Sequence, residues 1–392
     1  MADRSHDLLV APEAAALLAL LREGGPRTRA QLTALTGLSR STVAARIETL
    51  LDAGLVAPVG EEVSTGGRPP GRLAFRARAR LVLAVDLGAT HAVVALTDLA
   101  GTVLAHRSRR VPIADGPEPV LSWVLTTGLE LLAGTGRPAS DLAGVGIGVP
   151  GPVEHLTGTP VSPPIMPGWD RYDVPARVRE AFDVPVLVDN DVNLLALAEH
   201  ASVWPDREDL LFVKVATGIG AGIVSGGGLQ RGAQGSAGDL GHVRIPGTDG
   251  RTLEAVASGA ALARALTGQG IPAAGTDDVV DLARAGNLAV LDAVRQAGRD
   301  LGEVLATCVN LLNPSVIVIG GGLSLVGDHL LAGVREIVYR HSTPLATQHL
   351  TVVQAASGEL GGVLGAATLV TRHVLDPVPG TPGGNGTGRA GR

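Results

Sequence analysis

The stretch LVDNDVNLLALAE, residues 187–199, sets two carboxylates, Asp189 and Asp191, on either side of Asn190. An apolar run (Val186, Leu187, Val188) ends there, and Leu194, Leu195 and Leu197 begin a helical spacing. A carboxylate at the exposed end of a buried strand is placed to act as a general base or to hold a ligand hydroxyl. Its purely structural use is to cap the helix, with Asp189 and Asn190 in the turn. Three Gly-rich turns offer partners for such a group. DLGAT, 86–90, sets Asp86 and Thr90 around Gly88. ATGIGAG, 216–222, contains Gly218 and Gly220, and VIVIGGGLS, 316–324, runs an apolar segment into Gly320 and Gly321. Amides in such turns can approach phosphate, although Gly turns also join most hairpins. Lys214 is the only lysine and no GxxxxGK[ST] occurs, which excludes a P-loop.

These residues need a scaffold, and the periodicities predict one. From residue 81 a strand (81–85), a Gly turn, a strand (92–97), a turn at Asp98 to Gly101 and a strand (102–106) form a meander. Strand and helix then alternate: helix 117–133, strand 144–149, strand 186–188, helix 191–201, strands 210–215 and 220–224. Helix 288–312, strand 316–319 and helix 361–373 follow. The meander recurs in weaker form at LLFVKVATGIGAGIVSGGGLQRG. Two α/β lobes, each opening with a hairpin, imply a cleft between them.

The N-terminal part has another character. Residues 12–57 read as three short helices. Pro12 suits a first helical position, Thr28 and Gln31 have capping-box spacing, Gly37 turns the chain and Ser39 can cap the third helix. That helix turns Val43, Ile47, Leu50 and Leu51 inward, and Arg40, Ser41, Thr42, Ala45, Arg46 and Thr49 outward. Two short strand-like runs, 55–59 and 73–75, flank a Gly/Pro/Arg tip containing Arg68. This is a winged helix-turn-helix pattern, with Thr28, Arg29, Ser39, Arg40, Ser41, Thr42 and Arg46 toward a major groove and Arg68 toward a minor groove. A three-helix module that packs in this way without touching DNA is the simpler alternative. Charge favours DNA. Nine Arg stand against four acids between Arg27 and Arg80, giving +5 in a chain of net charge -6.

The expected domains are a winged helix over 1–78, joined by the basic hinge RARAR (76–80) to a two-lobed body over 79–374. A Gly/Pro-rich disordered tail over 375–392 follows. With 45% hydrophobic and 2% aromatic residues, the core must be built from Ala, Val, Leu and Ile. The one cysteine, Cys308, excludes an internal disulfide and a cysteine metal cluster and fits a reducing cytoplasm. MADRSHDLLV has no signal-peptide character, and no apolar run reaches membrane-spanning length, so a cytoplasmic location without membrane association is expected.

Together these segments resemble the ROK family of repressors and sugar kinases, from about residue 8 to 372. The pieces that carry the resemblance are DLGAT, GVGIGVPGPV (144–153), DNDVN (189–193), ATGIGAGIVSGGGLQRG and GDLGH (238–242). The winged helix in front resembles the repressor branch, such as the xylose and N-acetylglucosamine repressors. The resemblance implies an actin-like fold. It places the kinases' base on Asp191, a sugar contact on Asn190, and phosphate turns on Asp86, Gly88, Thr90, Gly218 and Gly220. The family's GExGH motif is Gly238, Asp239, Gly241 and His242 here, with its carboxylate one methylene short, and a later sugar-binding Glu matches Glu254. A sugar-binding Asn of the kinases is replaced by Ile165, which cannot supply that hydrogen bond. The family's CxCGxxGC zinc loop is replaced by the cysteine-free GHVRIPGTDGRTLEA, so no metal is expected and His242 is read as a sugar contact.

The expectation is an α/β, sugar- or sugar-phosphate-responsive regulator that binds operator DNA as a homodimer or homotetramer, Asp191 holding a ligand hydroxyl rather than turning it over. Two alternatives remain open. One is an ATP- and Mg-dependent hexose kinase with Asp191 as base. The other is a constitutive DNA-binding protein whose body only dimerises.

Overall fold

The computed structural model describes residues 10–59, 71–245 and 248–376. At the N-terminus, helices Pro12–Gly24, Arg29–Thr36 and Arg40–Asp52 pack on one another through Leu17, Leu18, Leu21, Leu32, Val43, Ile47 and Leu50, all buried. The local signals do what their chemistry dictates. Pro12 opens the first helix, Thr28 and Gln31 form a reciprocal capping box, Gly37 takes φ 67°, and Ser39 accepts from the Thr42 amide. Arg72–Phe75 pairs antiparallel with both Arg27–Thr28 and Val56–Val59. The tip between the wing strands, Arg68 included, lies outside the described residues.

Leu81 begins the two-lobed body. In the first lobe, Leu81–Leu87, Ala92–Asp98 and Val103–Arg109 form the meander. Leu142–Val149 and then Val186–Asn190 add in parallel beyond Leu81–Leu87. The second lobe repeats this order. Leu210–Val215, Ile219–Ser225 and Gly228–Gln230 form a meander, and Val316–Gly320 and Thr351–Gln354 add in parallel.

After its last strand, each lobe sends a helix to the other lobe. Asp191–Ser202 leaves the first lobe and packs on the second lobe's Leu210–Val215 and Ile219–Ser225. Gly361–Leu375 leaves the second and packs on the first lobe's Leu81–Leu87 and Leu142–Val149. The two helices also lie against each other. Glycines permit the approach: a Cβ on Gly365 would stand 1.9 Å from the Leu194 carbonyl oxygen, and one on Gly222 2.6 Å from the Ala196 Cβ.

The head is not on a free tether. One apolar cluster joins Leu55, Val56 and Leu73 of the wing to Val82, Ala84 and Val93 of the first lobe and to Val370, Val374 and Leu375 of the terminal helix. The segment read as a basic hinge is clamped: Ala79 is buried, and the Arg137 guanidinium donates to the Arg78 and Ala79 carbonyls at 2.8 and 3.0 Å. The first two residues of the tail expected over 375–392 are part of the packed body. Leu375 is buried in the terminal helix and Asp376 pairs with Arg22 at 2.7 Å, while residues 377–392 lie outside the described residues. Among the described residues, no helix is long and apolar enough to cross a membrane.

Candidate ligand cleft and DNA face

A cavity of about 930 Å³ opens between the lobes, large enough for a nucleotide and a sugar together. Its wall includes Asp86, Thr90, Asn190, Asp191, Gly218, Gly220, Asp239, His242, Glu254, Gly320 and Gly321. The fold therefore brings the dispersed sequence candidates to one place. Gly88 is the exception: the His91 imidazole lies over it, at 2.1 Å from where a Cβ would stand, so Gly88 does not face the cavity. Ile165 is in the wall and exposed, which makes that part apolar.

The DNDVN segment is wired across the lobes. Asn190, not Asp191, caps helix Asp191–Ser202: its side-chain oxygen accepts from the Val192 amide at 2.9 Å, and its Nδ2 donates to the Gly151 carbonyl at 2.8 Å. Asp189 is buried and accepts from Arg231 of the second lobe at 2.7 Å and from Asn193 at 2.7 Å. Both of these residues are thus structurally committed, and Asn190 can meet a ligand only with what those bonds leave over.

Asp191 is not a free carboxylate. Lys214 Nζ lies 2.5 Å from its Oδ2, with the two side chains 25% and 8% exposed. Two tendencies pull apart here. Burial pushes the Asp191 carboxyl above its ordinary range, against the pull of Lys214. Burial would also lower Lys214, yet the adjacent Asp191 and Asp86 carboxylates outweigh it and hold the ammonium protonated, its pKa raised. The short contact decides for a charged pair, since either ion left alone there would cost several kcal/mol. A carboxylate bonded to an ammonium is a poor acceptor for a hydroxyl proton. Sequence reasoning passed over Lys214 except to exclude a P-loop, because nothing local to LLFVKV points at a residue 23 positions earlier.

Asp86 sits at the end of the first strand, against the first turn of helix Gly361–Leu375. A Cβ on Gly362 would stand 2.2 Å from its Cγ. A carboxylate at a helix N-terminus is favoured by the helix dipole. His91 Nε2 lies 3.9 Å from Asp86, which raises the imidazole pKa. Asp239 and His242 pair with each other at 2.9 Å on the open rim, and the hydrogen bond that Nδ1 makes to the Asp239 carboxylate raises the His242 pKa. Glu254 Oε2 accepts from the Ile219 amide at 2.9 Å, holding the second Gly turn. Among the described residues, no three His, Cys, Asp or Glu side chains are placed to hold a metal ion. Cys308 lies in helix Leu288–Leu312, where burial pushes its thiol up to about 11.

On the head, Ser39, Arg40, Ser41 and Thr49 are exposed on the face of helix Arg40–Asp52 opposite its core. Ser39, Ser41 and Thr42 share hydroxyl hydrogen bonds of 2.8 Å at that helix's start. Thr28 is engaged in its capping box, and Arg29 pairs with Glu48 at 2.7 Å, so neither is idle. Among the described residues, Arg40 and Arg46 have no ion-pair or hydrogen-bond partner.

Residues 82–373 match the ROK family and residues 6–68 the MarR family. The chain is 28% identical over 374 residues to the xylose repressor of Bacillus spizizenii, covering 92% of this chain and 95% of that one. It is 30% identical over 321 residues to the glucokinase of Halalkalibacterium halodurans, covering 75% and 96%. A crystal structure of a ROK family transcriptional regulator, a homologue of the Escherichia coli MLC protein, superposes with a TM-score of 0.81 at 25% identity, over 96% of this chain and 98% of that one. With a winged helix ahead of a two-lobed, sugar-kinase-like body, the chain belongs to the ROK family.

Proposed function

We propose that this chain is a ligand-responsive transcriptional repressor, working in the cytoplasm as a homodimer on operator DNA. The interlobe cleft receives a sugar or sugar derivative. The observation that carries this reading is the course of the terminal helix. Fifteen residues, about 22 Å long, run from Asp86 and Gly362 at the cleft to Leu375 and Asp376 against the head. At its cleft end, the buried Glu199 accepts from the Ala356 and Ser357 amides at 2.6 and 2.7 Å, tying the crossing helix to the loop that leads in. A ligand that prefers one lobe arrangement can thereby bias the position of the head, provided its affinity differs between the two states.

Arg40, Ser41, Thr42 and Arg46 are the residues this reading sends to base edges and phosphates of the major groove, with Arg68 in the minor groove. The xylose repressor supports a repressor and the MLC homologue a transcriptional regulator, both matched over more than nine-tenths of this chain. Fluorescence anisotropy on DNA from upstream of its own gene, with and without sugars and sugar phosphates at fixed salt, tests it.

The second reading, an ATP-dependent hexose kinase with Asp191 as base, draws on the glucokinase similarity and on the Gly turns at the cleft. The Lys214 pairing weighs against it. Sugar-dependent ADP release that Asp191→Asn abolishes would establish it.

A further inference from the structure

The first-lobe lip of the cleft is made of carbon. Pro150, Pro152, Pro164 and Ile165 all stand in the cavity wall. Ile165 is 41% exposed, a branched apolar side chain left open to water inside a ligand cavity. Its position is built rather than loose. Pro163 and Met166 on either side of the exposed pair are buried, and so is Trp169, whose Nε1 donates to the Ile113 carbonyl at 3.1 Å. The Ser162 amide donates to the Asp170 carboxylate at 2.6 Å. A Cβ on Gly151 would stand 2.9 Å from the Pro163 Cβ and 3.3 Å from the Met166 sulfur, so the turn after strand Leu142–Val149 packs directly on the turn that carries Ile165. Asn190 fastens the same turn to the crossing helix through the Gly151 carbonyl.

The opposite lip has the opposite chemistry. The two lips meet at Gly235, where a Cβ would stand 2.4 Å from the Val153 carbonyl oxygen, and Ser236, Asp239 and His242 follow it in the wall. Asp239 and His242 spend one hydrogen bond on each other, which leaves Asp239 Oδ2 and His242 Nε2 open among the described residues. A ligand seated here meets hydrogen-bonding groups on one side and carbon on the other. A hydroxyl turned toward Ile165 loses water and gains no partner. A methyl group in that place loses nothing and buries apolar area. We propose that Ile165 and the prolines beside it select a methyl-bearing sugar over its hydroxylated counterpart. The methyl belongs to a 6-deoxyhexose or to a methyl glycoside, and the lip recognises what the two share. This inference rests on reading the cleft as a sugar receptor.

The test is equilibrium dialysis of the full chain against sugars in matched pairs. One arm sets L-rhamnose against L-mannose and L-fucose against L-galactose. The other sets methyl D-xyloside and methyl D-glucoside against the free sugars. In at least one pair the methyl-bearing member should bind about tenfold more tightly. Ile165→Asn should abolish that preference by supplying a hydrogen-bonding group, and Ile165→Val should keep it. Neither should move Tm, because Ile165 lies on the open side of its turn. A preference in the first arm assigns the methyl to C6, and one in the second assigns it to the anomeric oxygen. Equal binding within every pair, tighter binding of the hydroxylated member throughout, or a preference that survives Ile165→Asn overturns the proposal. If sugars bind without preference, this inference falls and the cleft remains a sugar receptor. If no sugar in either arm binds, both readings fall.

Discussion

Arg22 of the first head helix and Asp376, which follows the terminal helix, stand 2.7 Å apart although 354 residues separate them in the chain. This pair closes the route from the cleft to the DNA-binding head. Both side chains are partly exposed, so the pair contributes under about 1 kcal/mol to stability. Asp376→Asn should leave Tm almost unchanged while reducing the factor by which ligand alters operator affinity. Thermal melts and anisotropy on the same samples check both halves. An unchanged ligand factor assigns the coupling to the apolar cluster around Leu375 instead.

The crossing helices depend on absent side chains. In Gly365→Ala the new Cβ would meet the Leu194 carbonyl, and backbone cannot swing aside as a flexible side chain does. A loss of about 1–3 kcal/mol is expected, read from urea unfolding. A neutral result would mean that the two helices pack less closely than described.

Removing one partner of the Lys214–Asp191 pair leaves the other ion buried. Lys214→Met should cost about 3–5 kcal/mol, and the double variant with Asp191→Asn should recover part of that loss. Additive losses in the four-variant cycle would show that the two side chains are not coupled.

Two histidines give stability opposite pH dependences. The folded pKa of His91 is raised by the neighbouring Asp86 carboxylate, 3.9 Å from its Nε2, so its contribution is complete below the ordinary value near 6.5 and is lost as pH rises through the raised value. Its side chain is more than half exposed, which keeps the effect small. His200 is lowered, first by burial and then by Arg372, so its contribution is complete above about 6.5 and is lost as pH falls toward the lowered value. Melts of His91→Gln and His200→Gln between pH 5 and 8 should therefore diverge from wild type at opposite ends of that range.

At the DNA face, Arg40→Ala should weaken operator binding by about 1–3 kcal/mol without moving Tm, because its side chain supports nothing in the head. Ser39→Ala should lose about 1 kcal/mol of head stability as well, since Ser39 caps the helix. Equal effects of the two substitutions on Tm would contradict this division of roles.

Elements whose signals are local were legible in the sequence. Helix Leu288–Leu312 was readable over its whole length, because a 25-residue amphipathic pattern bounded by Asn287 and Asn313 needs no tertiary help. The two meanders and the head helices were readable for the same reason. Strand Thr351–Gln354 and helix Asp328–His341 were not singled out. Four residues at the edge of a sheet become a strand only by pairing with Val316–Gly320, a long-range event. At the site, DNDVN announced its carboxylates, but their fates did not follow from their spacing. Asp189 is bound by Arg231 and Asp191 by Lys214, 42 and 23 residues away, and only the folded sheets bring those cations to them.

The central claim, that the cleft and the head are two ends of one switch, is tested most directly by anisotropy. The full chain is titrated onto upstream DNA at fixed salt, with non-specific DNA as control, in the absence and presence of sugars and sugar phosphates. Specific binding is expected, with an affinity that at least one such ligand changes and a change that is diminished in Asp376→Asn. Specific binding that no ligand in the panel alters, in a protein shown by dialysis to bind one of those ligands, would contradict it.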